Sequence, residues 1–307
     1  MKIRPLQRQL QEKAIKELNE DPRRIEQALD LLKEWIRKQP HLNIRNDDQM
    51  LLAFLRGSKW NLQFTKEKLD VFCSIKTQMP ELYEDRDPLS SGIQKVLKIG
   101  VVFPMPKAEN DIGPTTIISN MKNVDENEIT FVDMLKVFFM TLEILMREDD
   151  GFVVSGMNFL ADHDGCPVSY YLQFTPGIVK NATTSFQSAY PIRTKSMTII
   201  NTWTVFETLY NTLMKPFLTP KLRERFQVVS KAQSSQFLKE SPLNLPREYG
   251  GMNESMTNAA EEWKKKVESY REWFLEDAMY VTNEALRPKV LENVDVVDGS
   301  FRSLVID

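Results

Sequence analysis

Between Tyr190 and Lys231 seven basic residues (Arg193, Lys195, Lys215, Lys221, Arg223, Arg225 and Lys231) meet only two acidic ones, Glu207 and Glu224. The whole chain carries 40 Lys and Arg against 43 Asp and Glu, a net charge of −3. Positive charge is therefore concentrated in one segment of an otherwise slightly acidic protein. Such a cluster captures anions, either a membrane surface rich in acidic lipid or another polyanion. A net charge of −3 argues against a general nucleic-acid binder, which shows a basic domain. Chemistry of the covalent kind finds no footing. The chain has no G-x-x-x-x-G-K-[ST], no G-x-G-x-x-G and no G-x-S-x-G. Of its two histidines, His41 follows a proline, and His163 lies in a turn with Cys166 but no further Cys or His to complete a metal site. Asp162-His163-Asp164-Gly165 resembles the start of a calcium loop. The fifth, sixth and twelfth positions would be Cys166, Pro167 and Gln173, so the ligand set fails. Asp149-Asp150 and Glu261-Glu262 sit in polar stretches as solvated faces. No nucleophile pairs with a base, so the expectation is a protein that is not an enzyme and holds no metal or catalytic cofactor.

The elements that position the basic cluster follow from periodicity. Phe206, Leu209, Tyr210, Leu213 and Phe217 recur at helical spacing, while Thr204, Glu207, Thr208, Asn211 and Thr212 fill the opposite face. Pro216 ends or kinks this amphipathic helix. Thr219-Pro220 starts a short helix with Thr219 as cap, on which Lys221 and Arg225 share a face. The same pattern also fits an ordinary surface helix followed by a solvated basic turn.

Size and composition allow one large domain or two ordinary ones: 307 residues, 42% hydrophobic and 27% charged, as in a globular protein. No apolar run approaches the ~18 residues of a membrane span, and the first residues lack an export signal. Cys73 and Cys166 cannot make a disulfide framework, which suits a reducing cytosol. Residues 1–80 read as short helices: Pro5 to Leu18, one opened by Asp21-Pro22, one from Asp47 to Arg56 capped by Asn46 and stopped by Gly57, and one beginning at Asn61. Strands at Leu97–Phe103, Thr115–Ser119, Phe152–Ala161 and Lys195–Asn201 then alternate with helices at Thr130–Arg147 and from Thr175-Pro176 to Ala189. That alternation predicts an α/β lobe with a mostly parallel sheet over 90–252. A polar helix, Glu254–Leu286, occupies much of 253–307, with Trp263, Val267, Tyr270 and Phe274 as its packing edge and an aperiodic tail after it.

Five segments then carry a resemblance: Phe54-Leu55-Arg56-Gly57-Ser58-Lys59-Trp60, Tyr190-Pro191-Ile192-Arg193, Ile199-Ile200-Asn201, Lys215-Pro216-Phe217-Leu218 and Leu245-Pro246-Arg247-Glu248-Tyr249-Gly250-Gly251. In this order, over about residues 20–280, the chain resembles the CRAL-TRIO lipid-binding family, in the branch of tocopherol and retinaldehyde carriers and the clavesins. The resemblance implies a helical N-terminal lobe, an α/β lobe enclosing an apolar pocket, and a mobile gate matching Trp203–Met214. It assigns phosphoinositide headgroups to Arg193, Lys195, Lys221 and Arg225. Yeast-type phosphatidylinositol carriers place a Glu where this chain has Ile192, a departure that argues against phosphatidylinositol as the pocket ligand. Met157, Phe159 and Ala161, with Met197 and Ile199, alternate along two strands. Facing Phe206, Leu209 and Leu213, and joined by Phe139 and Phe186, they would line the pocket. Alone, such periods describe plain core. A retinoid, carotenoid, tocopherol or sterol-like lipid fits equally. The expected function is a cytoplasmic, monomeric carrier that exchanges one hydrophobic ligand at phosphoinositide-containing membranes. The alternative is a phosphoinositide-dependent adaptor that moves no cargo.

Overall fold

A computed structural model describes residues 3–108, 111–241 and 243–288; the aperiodic tail lies outside them. The first helices are α1 (Arg8–Leu18), α2 (Ile25–Arg37), α3 (Asp48–Gly57) and α4 (Leu62–Gln78). Three of them begin or end on a recognisable signal. Asn19 closes α1 in the left-handed conformation, and the Asn61 side chain accepts from the amide of Phe64 to open α4. The cap of α3 is Asp47 rather than Asn46: its carboxylate accepts from the amides of Gln49 and Met50. An acidic cap also complements the positive end of the helix dipole, which a neutral Asn does not.

Two further helices, α5 (Pro80–Tyr83) and α6 (Ser91–Ile99), precede the sheet. The strand expected at Leu97–Phe103 is therefore mostly helix. Ile93, Val96 and Leu97 form the buried stripe of α6, Gly100 stops it at φ +67°, and only Val102–Pro104 remains as β1. β2 is Thr115–Asn120, and α7, Phe131–Glu148, starts on the Thr130 hydroxyl. The strand expected at Phe152–Ala161 also divides. Asp149 caps α8 (Asp150–Ser155), and β3 runs only from Met157 to Asp162. The divider is Gly156, at φ +91°, where a Cβ would also collide with the Arg193 carbonyl.

The chain continues through α9 (Pro176–Thr184), a π-helical turn at Ser185–Ala189, β4 (Thr194–Thr202), α10 (Thr204–Leu209) and α11 (Pro220–Glu224). Two elements that the sequence reading did not identify follow: β5 (Phe226–Ser230) and α12 (Lys231–Glu240). β5 is short and only partly buried, and α12 has a weak apolar face, so neither carries a strong period. The single helix expected from Glu254 to Leu286 is α13 (Met256–Ser269) and α14 (Arg271–Asp277), broken at Tyr270. Its expected packing edge holds, since Val267, Tyr270 and Phe274 are buried and Trp263 packs at the edge of the core.

The five strands lie in sequence order, β1 antiparallel to β2 and the rest parallel. Parallel neighbours require crossover helices, and α7 to α11 supply them. The two faces of the sheet belong to separate apolar cores. Ile117, Met157, Ala161 and Ile199 join a large core shared with α3, α4 and α7. Phe103, Ile118, Leu160 and Ile200 face α12, α13 and Leu245. A third, small cluster packs α1 onto α8 through Leu10, Ala14, Leu18 and Val154.

Candidate functional site

The large-core face of the sheet is built by register. Phe159 pairs with Met197 and Ala161 with Ile199 across β3 and β4, so their side chains rise on one face. Facing them is a run of aromatic rings. Phe138 of α7 meets Phe159 at 5.5 Å, Phe139 at 5.6 Å and Phe186 at 5.9 Å. Phe139 stacks on Tyr190 at 5.3 Å and touches Tyr83 at 5.5 Å. Of the residues read from sequence, Phe139, Met157, Ala161, Phe186, Ile199 and Phe206 are buried in this core; Phe159, Met197 and Leu209 are half-buried against it. Leu213 is half-buried and lies outside the apolar clusters found among the described residues. Phe138 was read as a helix residue and missed as a wall of this face. Its place next to Phe139 hid it, because adjacent helical residues normally point to different sides.

The segment over the lower edge of this face is not one regular helix. α10 ends at Leu209, Tyr210–Met214 is π-helical and Lys215–Phe217 is 3₁₀. The expected period of 3.6 therefore fails after Leu209. Pro216 cannot donate to the preceding turn and its ring crowds a carbonyl there. Thr208, Asn211 and Thr212 also donate from their side chains to the carbonyls of Thr204, Glu207 and Thr208, competing with the backbone ladder. The base of the segment is fixed: Phe206 packs edge-on against His163 at 4.7 Å and against Tyr171 at 5.6 Å. His163 Nδ1 and the Tyr171 hydroxyl are 2.9 Å apart, and burial pushes the imidazole down to about 3. His163 is thus a neutral packing residue, as its turn position suggested. Tyr210 stacks on Phe226 of β5 at 4.6 Å. Next to these residues in the chain, large apolar side chains are exposed: Val168, Leu172, Trp203 and Val205, Leu172 by 84%.

The basic residues come from three elements. Arg193 precedes β4, Lys195 lies within it, and Arg225 ends α11 with its guanidinium donating to the Thr194 carbonyl. Lys221 is exposed one turn before Arg225. Arg193 is partly committed. It donates to the Val154 carbonyl and pairs with Glu17 of α1 at 2.7 Å. Burial and then the charge of Arg193 hold the Lys195 ammonium below its ordinary value; Lys13 and Arg225 add to this and Glu17 opposes it. Four cations and one carboxylate thus share one field. Lys13 and Glu17, from α1, were not anticipated; nothing local in α1 marks them, since they reach the site only through the packing of α1 on α8.

Two glycines and one lysine hold this loop. A Cβ at Gly57 would collide with the Pro191 carbonyl, and one at Gly156 with that of Arg193. Lys68 of α4 donates to the carbonyls of Gln187, Ser188 and Tyr190 at 3.0–3.3 Å, and burial pushes its ammonium down to about 8. Two of the segments that carry the resemblance thus have structural work: the glycine of the first receives the proline of the second. Asn201, at φ +56°, donates to Asp162 at 2.7 Å, and the Tyr249 hydroxyl donates to the other oxygen of Asp162 at 2.8 Å. An open cleft of about 890 Å³ lies elsewhere, along α2 among Arg23, Asp30, Lys33, Arg37 and Arg45; its lining of mixed charges does not suit an apolar ligand. No group of three or more metal-ligating side chains is present among the described residues.

A helical lobe on a five-stranded, mainly parallel sheet, with one aromatic face and a basic rim, makes this a mixed α/β fold. Residues 101–251 match the CRAL/TRIO domain model, and residues 21–93 match the Pinta-like UBA domain model. Residues 101–251 thus form a CRAL/TRIO domain. It is 28% identical over 246 residues to human alpha-tocopherol transfer protein-like, covering 78% of this chain and 69% of that one. Rat clavesin-2 is 28% identical over 254 residues, covering 78% and 73%, and clavesin-1 of Xenopus laevis 28% over 253 residues, covering 78% and 72%. The crystal structure of Sfh5 shares the fold, at TM-score 0.51 and 15% identity, over 89% of this chain and all of that one. No helix of the described residues is long and apolar enough to cross a membrane.

Proposed function

We propose that this protein is a monomeric lipid carrier. It holds one small hydrophobic ligand between the aromatic face of the sheet and α10, and exchanges it at membranes containing phosphoinositides. The observation that carries the reading is the cover itself. A fixed base at Phe206 leads into a π-helical and 3₁₀ stretch weakened by Pro216, and half-buried Leu209, Met214 and Phe217 of this segment pack against the same core as half-buried Phe159 and Met197. Irregular turns of this kind often mark functional hinges. Opening this cover in water exposes apolar surface at ~25 cal/mol per Å². At a membrane the same surface enters the interface, so the cost largely disappears. Val168, Leu172, Trp203 and Val205 give that contact an apolar edge, and Arg193, Lys195, Lys221 and Arg225 give it headgroup affinity.

The pocket would be lined by Phe139, Met157, Phe159, Ala161, Phe186, Met197, Ile199, Phe206, Leu209 and, on opening, Leu213. The names of the tocopherol transfer protein-like relatives support a neutral lipid as cargo. Extraction of protein made in its native host should yield one lipid in near-equimolar amount by mass spectrometry. An empty extract from protein that binds phosphoinositide vesicles would favour the adaptor reading. The gate has its own test. Cysteines at Tyr210 and Phe226, bridged by a short bifunctional thiol reagent, should stop transfer between vesicles, the native Cys73 and Cys166 being buried. Transfer at the wild-type rate by the bridged protein would rule α10 out as the gate.

A further inference from the structure

The aromatic run ends in a polar corner. One turn along α7 from Phe139 lies Glu143, fully buried, whose Oε1 accepts from Arg86 at 2.9 Å and from the Tyr190 hydroxyl at 2.8 Å. Arg86 also reaches Asp277, which pairs with Lys76 at 2.7 Å. Two fully buried cations therefore face two carboxylates, and Arg45, nearer the surface, also lies 3.9 Å from Asp277. The hydrogen bonds do not balance. Glu143 Oε2, the Tyr83 hydroxyl and Arg86 Nε are buried and have no hydrogen-bond partner. The Tyr83 hydroxyl lies beside those of Ser185 and Tyr190 without a well-formed bond to either. Burial, ahead of the Glu143 charge, drives its pKa up, so it stays a neutral donor and acceptor. A buried polar atom left unpaired costs the full desolvation of that atom.

We propose that Glu143 and Tyr83 form the anchor for the polar end of the bound lipid, and that this anchor selects a neutral alcohol or phenol. The proposal rests on the carrier reading above. The chemistry of the corner sets the class. Glu143 Oε2 accepts only, so the ligand must donate to it. Tyr83 can donate in return, so the same ligand group should accept. A hydroxyl does both. An aldehyde, ether or ester accepts but leaves Oε2 unpaired. A carboxylate would bring a third buried negative charge beside Glu143, which is costly. Tyr83 and Tyr190 both touch Phe139, so the anchor is continuous with the aromatic wall.

Three probes with one carbon skeleton test this on the full-length protein: retinol, retinyl methyl ether and retinoic acid, titrated by their fluorescence. The wild type should bind the alcohol at least about tenfold more tightly than the ether, and the acid most weakly. Tyr83→Phe keeps the ring that packs on Phe139 and should melt as the wild type does. It should weaken the alcohol and the ether alike, several-fold, since both accept from Tyr83. Glu143→Gln should lower the alcohol-to-ether ratio and relieve the penalty on the acid; if it fails to fold, the wild-type ratio together with Tyr83→Phe still decides. Equal binding of alcohol and ether by the wild type, or affinities unmoved by Tyr83→Phe, overturns the anchor and leaves the pocket standing. Failure to bind any of the three overturns the pocket and the anchor with it.

Discussion

The two faces of the sheet are made from the same strands yet differ in how they are closed. Leu160 and Ile200 are fully buried under α12 and α13, and the segment after them is pinned by Tyr249 and Asn201 on Asp162. On the other face Phe159, one residue before Leu160, and Met197, three before Ile200, are only half-buried, and the helix packed against the same core loses its regular ladder after Leu209. Close packing makes the first face a scaffold, because any void there costs lost contacts. The second has large, adjustable side chains beside an irregular segment that is tied at Phe206 and, through Gln187, at Phe217. Met197 is suited to this, being unbranched and polarisable. A carrier needs both: a face that never opens to keep strand register, and one that opens to exchange cargo.

That contrast can be broken in four ways. The largest effect should come from the closed face. Leu160→Ala should cost about 2–5 kcal/mol of stability by denaturant unfolding, whereas Met197→Leu should cost less than about 1.5 kcal/mol. Equal costs would remove the distinction between the faces. Next is the basic rim: alanine at Arg193, Lys195, Lys221 and Arg225 together should remove up to about 4 kcal/mol of binding to phosphoinositide vesicles, at ~1 kcal/mol per residue, with ligand affinity unchanged. Sedimentation at physiological salt measures this, and salt should weaken the wild type in the same direction.

Third, Ala161→Trp fills the open face from its smallest position. It should abolish ligand uptake while the melt stays cooperative, at a cost of about 1–3 kcal/mol. Uptake that persists would place the ligand somewhere else. The smallest effect concerns α1. Burial alone would raise the Glu17 carboxyl, but the hydrogen bond and charge of Arg193 outweigh it and hold it below its usual value. The pair is part-exposed, so Glu17→Gln should strengthen vesicle binding only up to about fivefold, in keeping with the ~0–1 kcal/mol of exposed ion pairs. A group with a lowered pKa stabilises its contact above the unfolded value and loses it as pH falls through the folded one. The gap between wild type and variant should therefore close on acidification, and a gap independent of pH would show that Glu17 does not restrain Arg193.

The sequence by itself determined the elements that carry a strong local signal. The α1–α4 lobe, β2, β4, the Thr219-Pro220 restart and the concentration of charge in Tyr190–Lys231 were all legible, because caps, prolines and periods act within one turn of chain. The two split strands were not. In Leu97–Phe103 and Phe152–Ala161 an apolar run has no period of its own to choose helix or strand, and single glycines, Gly100 and Gly156, made the choice through left-handed backbone. Tertiary structure alone decided which cations share a field, since Lys13 joins Arg193 only because α1 lies on α8. It alone showed that Glu143, which lies within the helix expected at Thr130–Arg147, keeps an unpaired oxygen at the end of the aromatic wall. Periodicity reports which face of an element is buried. What meets that face, and whether every polar atom there finds a partner, depends on residues distant in the chain.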